Sequence, residues 1–174
     1  MNIKDKAPNF KLKGIDNKEY TLDSFKSKKV LVIIFTCNHC PYVKAYEDRL
    51  IDIQMEYKDK GVQLIAINSN DDNSYPEDSF ENMKLRAKQK RFNFPYLRDE
   101  TQEIAKSYNA ERTPHIFVFK DEILRYTGRI DDNWQDLDKV TKQDLREALD
   151  LLIKGKEVKN PVTHAIGCTI KWKQ

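Results

Sequence analysis

Apolar residues along this chain gather in short runs and stripes whose periods name the elements. Val30 to Thr36, VLVIIFT, is a nearly continuous β-branched and apolar run, as a strand buried on both faces of a parallel sheet requires. Directly after the cysteine pair that follows it, the period changes. Val43, Tyr46, Leu50, Ile53 and Tyr57 recur at steps of three and four, one face of a helix that ends before Gly61. VQLIAIN, Val62 to Asn68, is a second buried strand and completes a strand–helix–strand unit. Upstream, FKLKGIDNKEYTL predicts two short strands around a turn at Asp16-Asn17. Downstream, the polar loop SNDDNSYPED leads to a helix with Phe80, Met83 and Ala87 on one side. FPYLRDETQEIAKSY predicts a short strand and a helix capped by Asp99 with Gln102 three residues on. HIFVFKDEILRYTGRI predicts two strands around Lys120-Asp121-Glu122. TKQDLREALDLLIKG predicts a helix capped by Thr141, striped by Leu145, Ala148, Leu149 and Leu152, and closed by Gly155. The order is a hairpin, β-α-β, helical material, then β-β-α, which is an α/β three-layer sandwich with a mixed sheet. Residues 1–155 form one domain on this reading, and 156–174 an irregular tail docked on it.

Composition changes that picture little but excludes several functions. Among 174 residues, 39% are apolar and 34% charged, with 31 basic side chains facing 28 acidic ones and a net charge of +3. Nucleic acid as a partner calls for a basic stripe, which the interspersed signs do not supply. No apolar run is long enough to span a bilayer, and MNIKDKAPNFKLKG lacks the apolar core of an export signal. A cytoplasmic monomer is the expectation. Three cysteines are too few, and odd in number, for a disulfide framework.

The chemistry lies in FTCNHCP, where Cys37 and Cys40 stand two residues apart between the first buried strand and the striped helix. A metal reading needs further ligands to complete four, and Cys168, His115, His164 and His39 are scattered singly. A redox reading needs a strand-to-helix junction, because free amides and the helix dipole there stabilise a thiolate. The sequence supplies that junction. Running the helical stripe back by three puts Cys40 on the buried face and leaves Cys37 at the exposed end. Cys37 is then expected to attack and form a mixed disulfide, and Cys40 to resolve it. His39, between them, is placed to stabilise the Cys37 thiolate. No organic cofactor and no metal are needed for this exchange; the partner is a protein disulfide or dithiol.

FTCNHC at such a junction, with Thr113-Pro114 before a later hairpin, resembles the thioredoxin superfamily. APNFKLKGIDNKEYTLDSFKSKKVLVIIF, PYLRDETQEIAKSYNAERTPHIFVF and YTGRIDDN are similar to its redoxin and AhpC/TSA-like branch. The resemblance implies a thioredoxin-like α/β/α sandwich with an N-terminal hairpin extension, and thiol–disulfide oxidoreductase activity. It also implies that Thr113-Pro114 is a cis-proline loop packed on the cysteine pair and facing an extended substrate. Histidine before the second cysteine resembles protein disulfide isomerases and DsbA, which implies an oxidising couple. Two departures stand out: Thr36 replaces the tryptophan before the motif, and Leu31 replaces the buried aspartate that assists the second cysteine.

Two rivals share the fold. A peroxiredoxin-like peroxidase needs Thr or Ser three residues before its reacting cysteine, and Cys37 and Ile34 occupy those places. A Sco-like copper module keeps a proline after its pair, as Pro41 does here, but spaces its cysteines by three and adds a histidine, for which His115 or His164 would serve. Cys168 reads as a small apolar residue of the docked tail. Asp131 and Asp132 read as solvated loop carboxylates.

Overall fold

Alternation within one strand builds the centre of the molecule. In β3 (Val30–Thr36), Val30, Val32 and Ile34 enter one core while Leu31, Ile33 and Phe35 enter the other. A strand so enclosed must have helices or loops on both sides. The computed structural model describes residues 1–174. The elements flanking β3 are β1 (Lys11–Gly14), β2 (Glu19–Thr21), α1 (Pro41–Tyr57), β4 (Val62–Asn68), α2 (Phe80–Lys90) and β5 (Tyr96–Arg98). After them come α3 (Glu103–Tyr108), β6 (Arg112–Thr113), β7 (His115–Lys120), β8 (Ile123–Gly128), α4 (Asp144–Ile153) and β9 (Cys168–Thr169).

Seven strands form one mixed sheet in the order β2-β1-β5-β4-β3-β7-β8. β3, β4 and β5 run parallel; β7 and β8 are antiparallel additions at one side, β1 and β2 at the other. The expected hairpin extension is thus an edge of the main sheet. α1, α2 and α4 pack on one face, where Tyr46, Leu50, Ile53 and Tyr57 of the α1 stripe are buried, while Val43 packs with Cys37 and Cys40. Burying side chains of that size contributes about 1.5–3 kcal/mol each. On the other face lie α3, the N-terminal segment and Ile170 of the tail. This is a thioredoxin-like three-layer sandwich. No helix is long and apolar enough to cross a membrane.

Several local expectations give way to tertiary contacts. Thr141 does not cap α4, which starts at Asp144 after Gln143; the Thr141 hydroxyl is bonded to Asp132 instead. Asp99 is not the residue adjoining α3, yet its carboxylate accepts from Ala105 N at 2.9 Å and from Ser69 Oγ at 2.7 Å. Gln102, in the left-handed region, turns inward and donates to Ser69 O at 2.7 Å and Lys171 O at 2.9 Å. Asp131 is no solvated loop acid. It is buried, and accepts from Arg49 at 2.8 Å and 3.0 Å and from the Tyr46 hydroxyl at 2.8 Å.

Removing one member of such a buried pair strands the other charge. Asp131→Ala should therefore lower the unfolding free energy by about 3–5 kcal/mol in urea denaturation. A loss below about 1 kcal/mol would mean that the pair behaves as an exposed one.

Candidate active site

β3 ends at Thr36 and α1 starts at Pro41, so the four residues of Cys37-Asn38-His39-Cys40 make the whole connection. Pro41 at the first helical position has no N–H to leave unpaired, which favours a sharp start. Cys40 is therefore the N-cap, with extended backbone (φ −66°, ψ 130°) and no capping hydrogen bond from its side chain. Cys37 lies a step further out of the helix. The connection is held down through Asn38, whose N–H donates to Asp78 Oδ1 at 2.7 Å and whose Nδ2 donates to Glu77 O at 2.9 Å. Its Oδ1 accepts from the Tyr96 hydroxyl at 2.6 Å.

Burial corrects the expected arrangement of the two thiols. Cys37 is 3% exposed and Cys40 1%, so neither stands open. The residues between the cysteines are tied to the 69–79 loop, and the C-terminal tail passes over the other side. Thr113 touches both sulfurs: its Oγ1 is 3.5 Å from Cys37 Sγ and its carbonyl oxygen 3.6 Å from Cys40 Sγ. The peptide bond between Thr113 and Pro114 is cis.

The third cysteine, read from sequence as packing, belongs to this cluster. β9 pairs antiparallel with β6, Thr169 opposite Arg112 and Cys168 opposite Thr113. Cys168 Sγ lies 2.7 Å from Cys40 Sγ. Gly167 makes the approach feasible, since a Cβ there would stand 2.2 Å from the Thr113 carbonyl oxygen. The backbone edge of Thr113, expected to face a substrate, is thus occupied by the protein's own tail.

Charge settles on Cys40. The neighbouring Cys37 sulfur, then Cys168 and the backbone at Val43 and Cys168, outweigh burial and pull the Cys40 pKa down to about 4. Cys37 is driven far above an ordinary thiol by its contact with the Cys40 sulfur, by burial and by the charge of Asp78. Burial and the bond to Cys40 push Cys168 up to about 11. The contact with Cys37 is the largest cause of the Cys40 depression.

Asp78 was not legible as a site residue. It sits in the polar loop before α2, fully buried, with Asn68 Nδ2 at 3.2 Å from Oδ1 and Asn70 Nδ2 at 2.9 Å from Oδ2. His39 Nδ1 stands 2.9 Å from Asp78 Oδ2, close enough to pair when protonated but off the line of a good hydrogen bond. The His39 ring is stacked on Tyr75, centroids 6.0 Å apart. Asp78 thus returns to the cysteines a buried carboxylate that Leu31 does not supply. Cys37 Sγ, His39 and Asp78 offer three donor atoms within 4.8 Å of one another, one short of a closed zinc site. The histidines named for a copper site are elsewhere engaged or outside. His115 accepts from Glu111 N at 3.3 Å, faces the Thr127 hydroxyl at 3.3 Å, and is kept neutral by burial, its pKa near 4; His164 is exposed.

The Redoxin family model matches residues 2–149. The chain belongs to the redoxin family. This redoxin is 43% identical to an uncharacterized conserved protein from Geobacillus kaustophilus, with a TM-score of 0.94 over 99% of this chain and 93% of that one. A hypothetical protein from Sinorhizobium meliloti 1021 is 35% identical, with a TM-score of 0.94 over 99% of this chain and 96% of its own. Both likenesses run on through most of the tail that carries Cys168. The thiol-disulfide oxidoreductase ResA of Bacillus thuringiensis subsp. konkukian is 29% identical over 120 residues, 68% of this redoxin. The match spans 64% of that relative's length.

A thiol so depressed stays ionised at every pH above about 4 and protonates below it. Ultraviolet thiolate absorbance of the fully reduced protein should therefore persist at pH 6, far below the ordinary cysteine titration near about 8.5. Cys40→Ser should abolish it, and a wild-type titration centred near about 8.5 would refute the assignment.

Proposed function

We propose that this redoxin is a thiol–disulfide oxidoreductase that exchanges disulfides with client proteins through Cys37 and Cys40. The observation that carries the reading is the cysteine pair enclosed at the start of α1, with both sulfurs against Thr113. A thiolate is the attacking species in disulfide exchange, and a thiol beside it is the resolving one. The similarity to a thiol-disulfide oxidoreductase over 68% of the chain supports the same chemistry.

The charge distribution favours a different order of events from the one the motif suggests. Cys40, as thiolate, attacks a client disulfide; one client sulfur leaves as thiolate and the other is held in a mixed disulfide. Cys37 then gives its proton to the Asp78 carboxylate and attacks Cys40 Sγ. The Cys37–Cys40 bond forms, the second client sulfur leaves, and two electrons have passed to the client. Run backwards, the same steps oxidise a client dithiol. His39 positions Asp78 and, when protonated, offsets its charge. Thr113 forms the wall against which both sulfurs lie, with Pro114 directly after it.

Reduction of insulin disulfides by the dithiol form, with a small dithiol as electron source, tests the reading. Cys40→Ser should abolish turnover, and Cys37→Ser in a Cys168→Ser background should stop it after one mixed disulfide. Asp78→Asn should slow it by about 10²-fold, the lower range for losing an acid–base group. Thiols consumed by hydrogen peroxide faster than by insulin would overturn the reading in favour of a peroxidase.

A further inference from the structure

Cys40 has two sulfur neighbours, and exchange through a couple needs only one. Cys168 is 128 positions away along the chain, yet its sulfur is 2.7 Å from Cys40 Sγ, well under an ångström beyond bonding distance. Its strand lies antiparallel on the Thr113 edge, so the tail occupies the place of an extended peptide carrying a cysteine. The strand is fastened on both sides. Behind Cys168, Gly167 is packed on the Thr113 carbonyl, and Arg112 Nη1 donates to Gly167 O at 3.3 Å. Ahead of it, Ile170 N donates to Glu111 O at 3.1 Å and Lys171 N to Asn70 Oδ1 at 2.9 Å. Of the three cysteines, Cys168 alone is only partly buried.

We propose that Cys168 is a third redox sulfur, forming with Cys40 a second disulfide through which the protein meets its dithiol clients. The inference rests on the exchange reading above and names the sulfur that reaches the surface. Cys168 gives up its proton and attacks Cys40 Sγ of the Cys37–Cys40 disulfide. The Cys40–Cys168 bond forms, the Cys37–Cys40 bond breaks, and Cys37 leaves with the electron pair and takes a proton. Nothing is oxidised or reduced in this step; the disulfide has moved towards solvent. A client thiolate then attacks Cys168 Sγ, and Cys40 leaves as thiolate. The client's second thiol attacks the mixed disulfide and frees Cys168. The client loses two electrons and the protein gains them; one of the client's two protons goes to the freed Cys168 and the other is released, Cys40 being left as thiolate. Among the three sulfurs Cys40 is the most stabilised as an anion and hence the best leaving group.

The test maps disulfides by mass spectrometry after oxidation of the full chain with oxidised glutathione, alkylation, and digestion without reduction. Cys37→Ser should contain at least tenfold more Cys40–Cys168 disulfide than Cys40–glutathione mixed disulfide. Gly167→Val, which pushes β9 off Thr113, should lower the Cys40–Cys168 link at least tenfold while the Cys37–Cys40 link still forms. Cys168 alkylated throughout, in protein that forms Cys37–Cys40 and reduces insulin, would overturn the inference and leave the exchange reading standing. Protein that exchanges with neither insulin nor glutathione would overturn both.

Discussion

The site depends on one constraint: a sulfur at the N-cap of α1, enclosed and surrounded by hydrogen-bond donors. Cys40 reaches that position because Pro41 starts the helix at once and β3 ends four residues earlier. From there its sulfur lies beside Cys37 and Cys168, and these neighbours pull its pKa down. Each donor favours the anion, and the enclosure that would otherwise oppose charge makes each of those interactions stronger. The other two cysteines are pushed the opposite way, Cys37 chiefly by its contact with Cys40 and Cys168 chiefly by burial.

The fold holds that arrangement from several directions. β3, packed on both faces, fixes where Cys37 emerges, and β7, beside it, fixes the strand onto which Thr113-Pro114 leads. The 69–79 loop closes a third side through Asp78, whose carboxylate is met by Asn38, Asn68 and Asn70. The tail closes the fourth through β9. A buried carboxylate beside Cys37 discourages a second thiolate there, so the cluster carries one negative sulfur rather than two. That asymmetry separates nucleophile from resolving thiol without requiring either to be open to water.

What could be read from the sequence was what local periodicity encodes. The runs at Val30 and Val62 and the stripe from Val43 to Tyr57 name their elements because burial on two faces or one leaves a distinct spacing. Cys37 and Cys40 were legible as a pair for the same reason: the spacing and the strand-to-helix junction are both local. Cys168 was not, since a two-residue strand has no period and its partner β6 is equally short. Asp78 looked like one more acid in a polar loop; only the folded chain turns it inward towards three asparagine residues. The Thr141 cap failed because Asp132 competes for its hydroxyl. The enclosure of both thiols was not legible either, because the loop before α2 and the tail that cover them are distant in sequence.

The most direct measurement follows the cysteine β-carbons by NMR in protein labelled with carbon-13 cysteine while glutathione buffers set the redox poise. If Cys40 is the hub, its β-carbon converts completely to the disulfide position in a single two-electron transition, while Cys37 and Cys168 share the partner role between them. A reduced Cys40 resonance surviving in fully oxidised protein, with Cys37 and Cys168 joined to each other, would contradict the account.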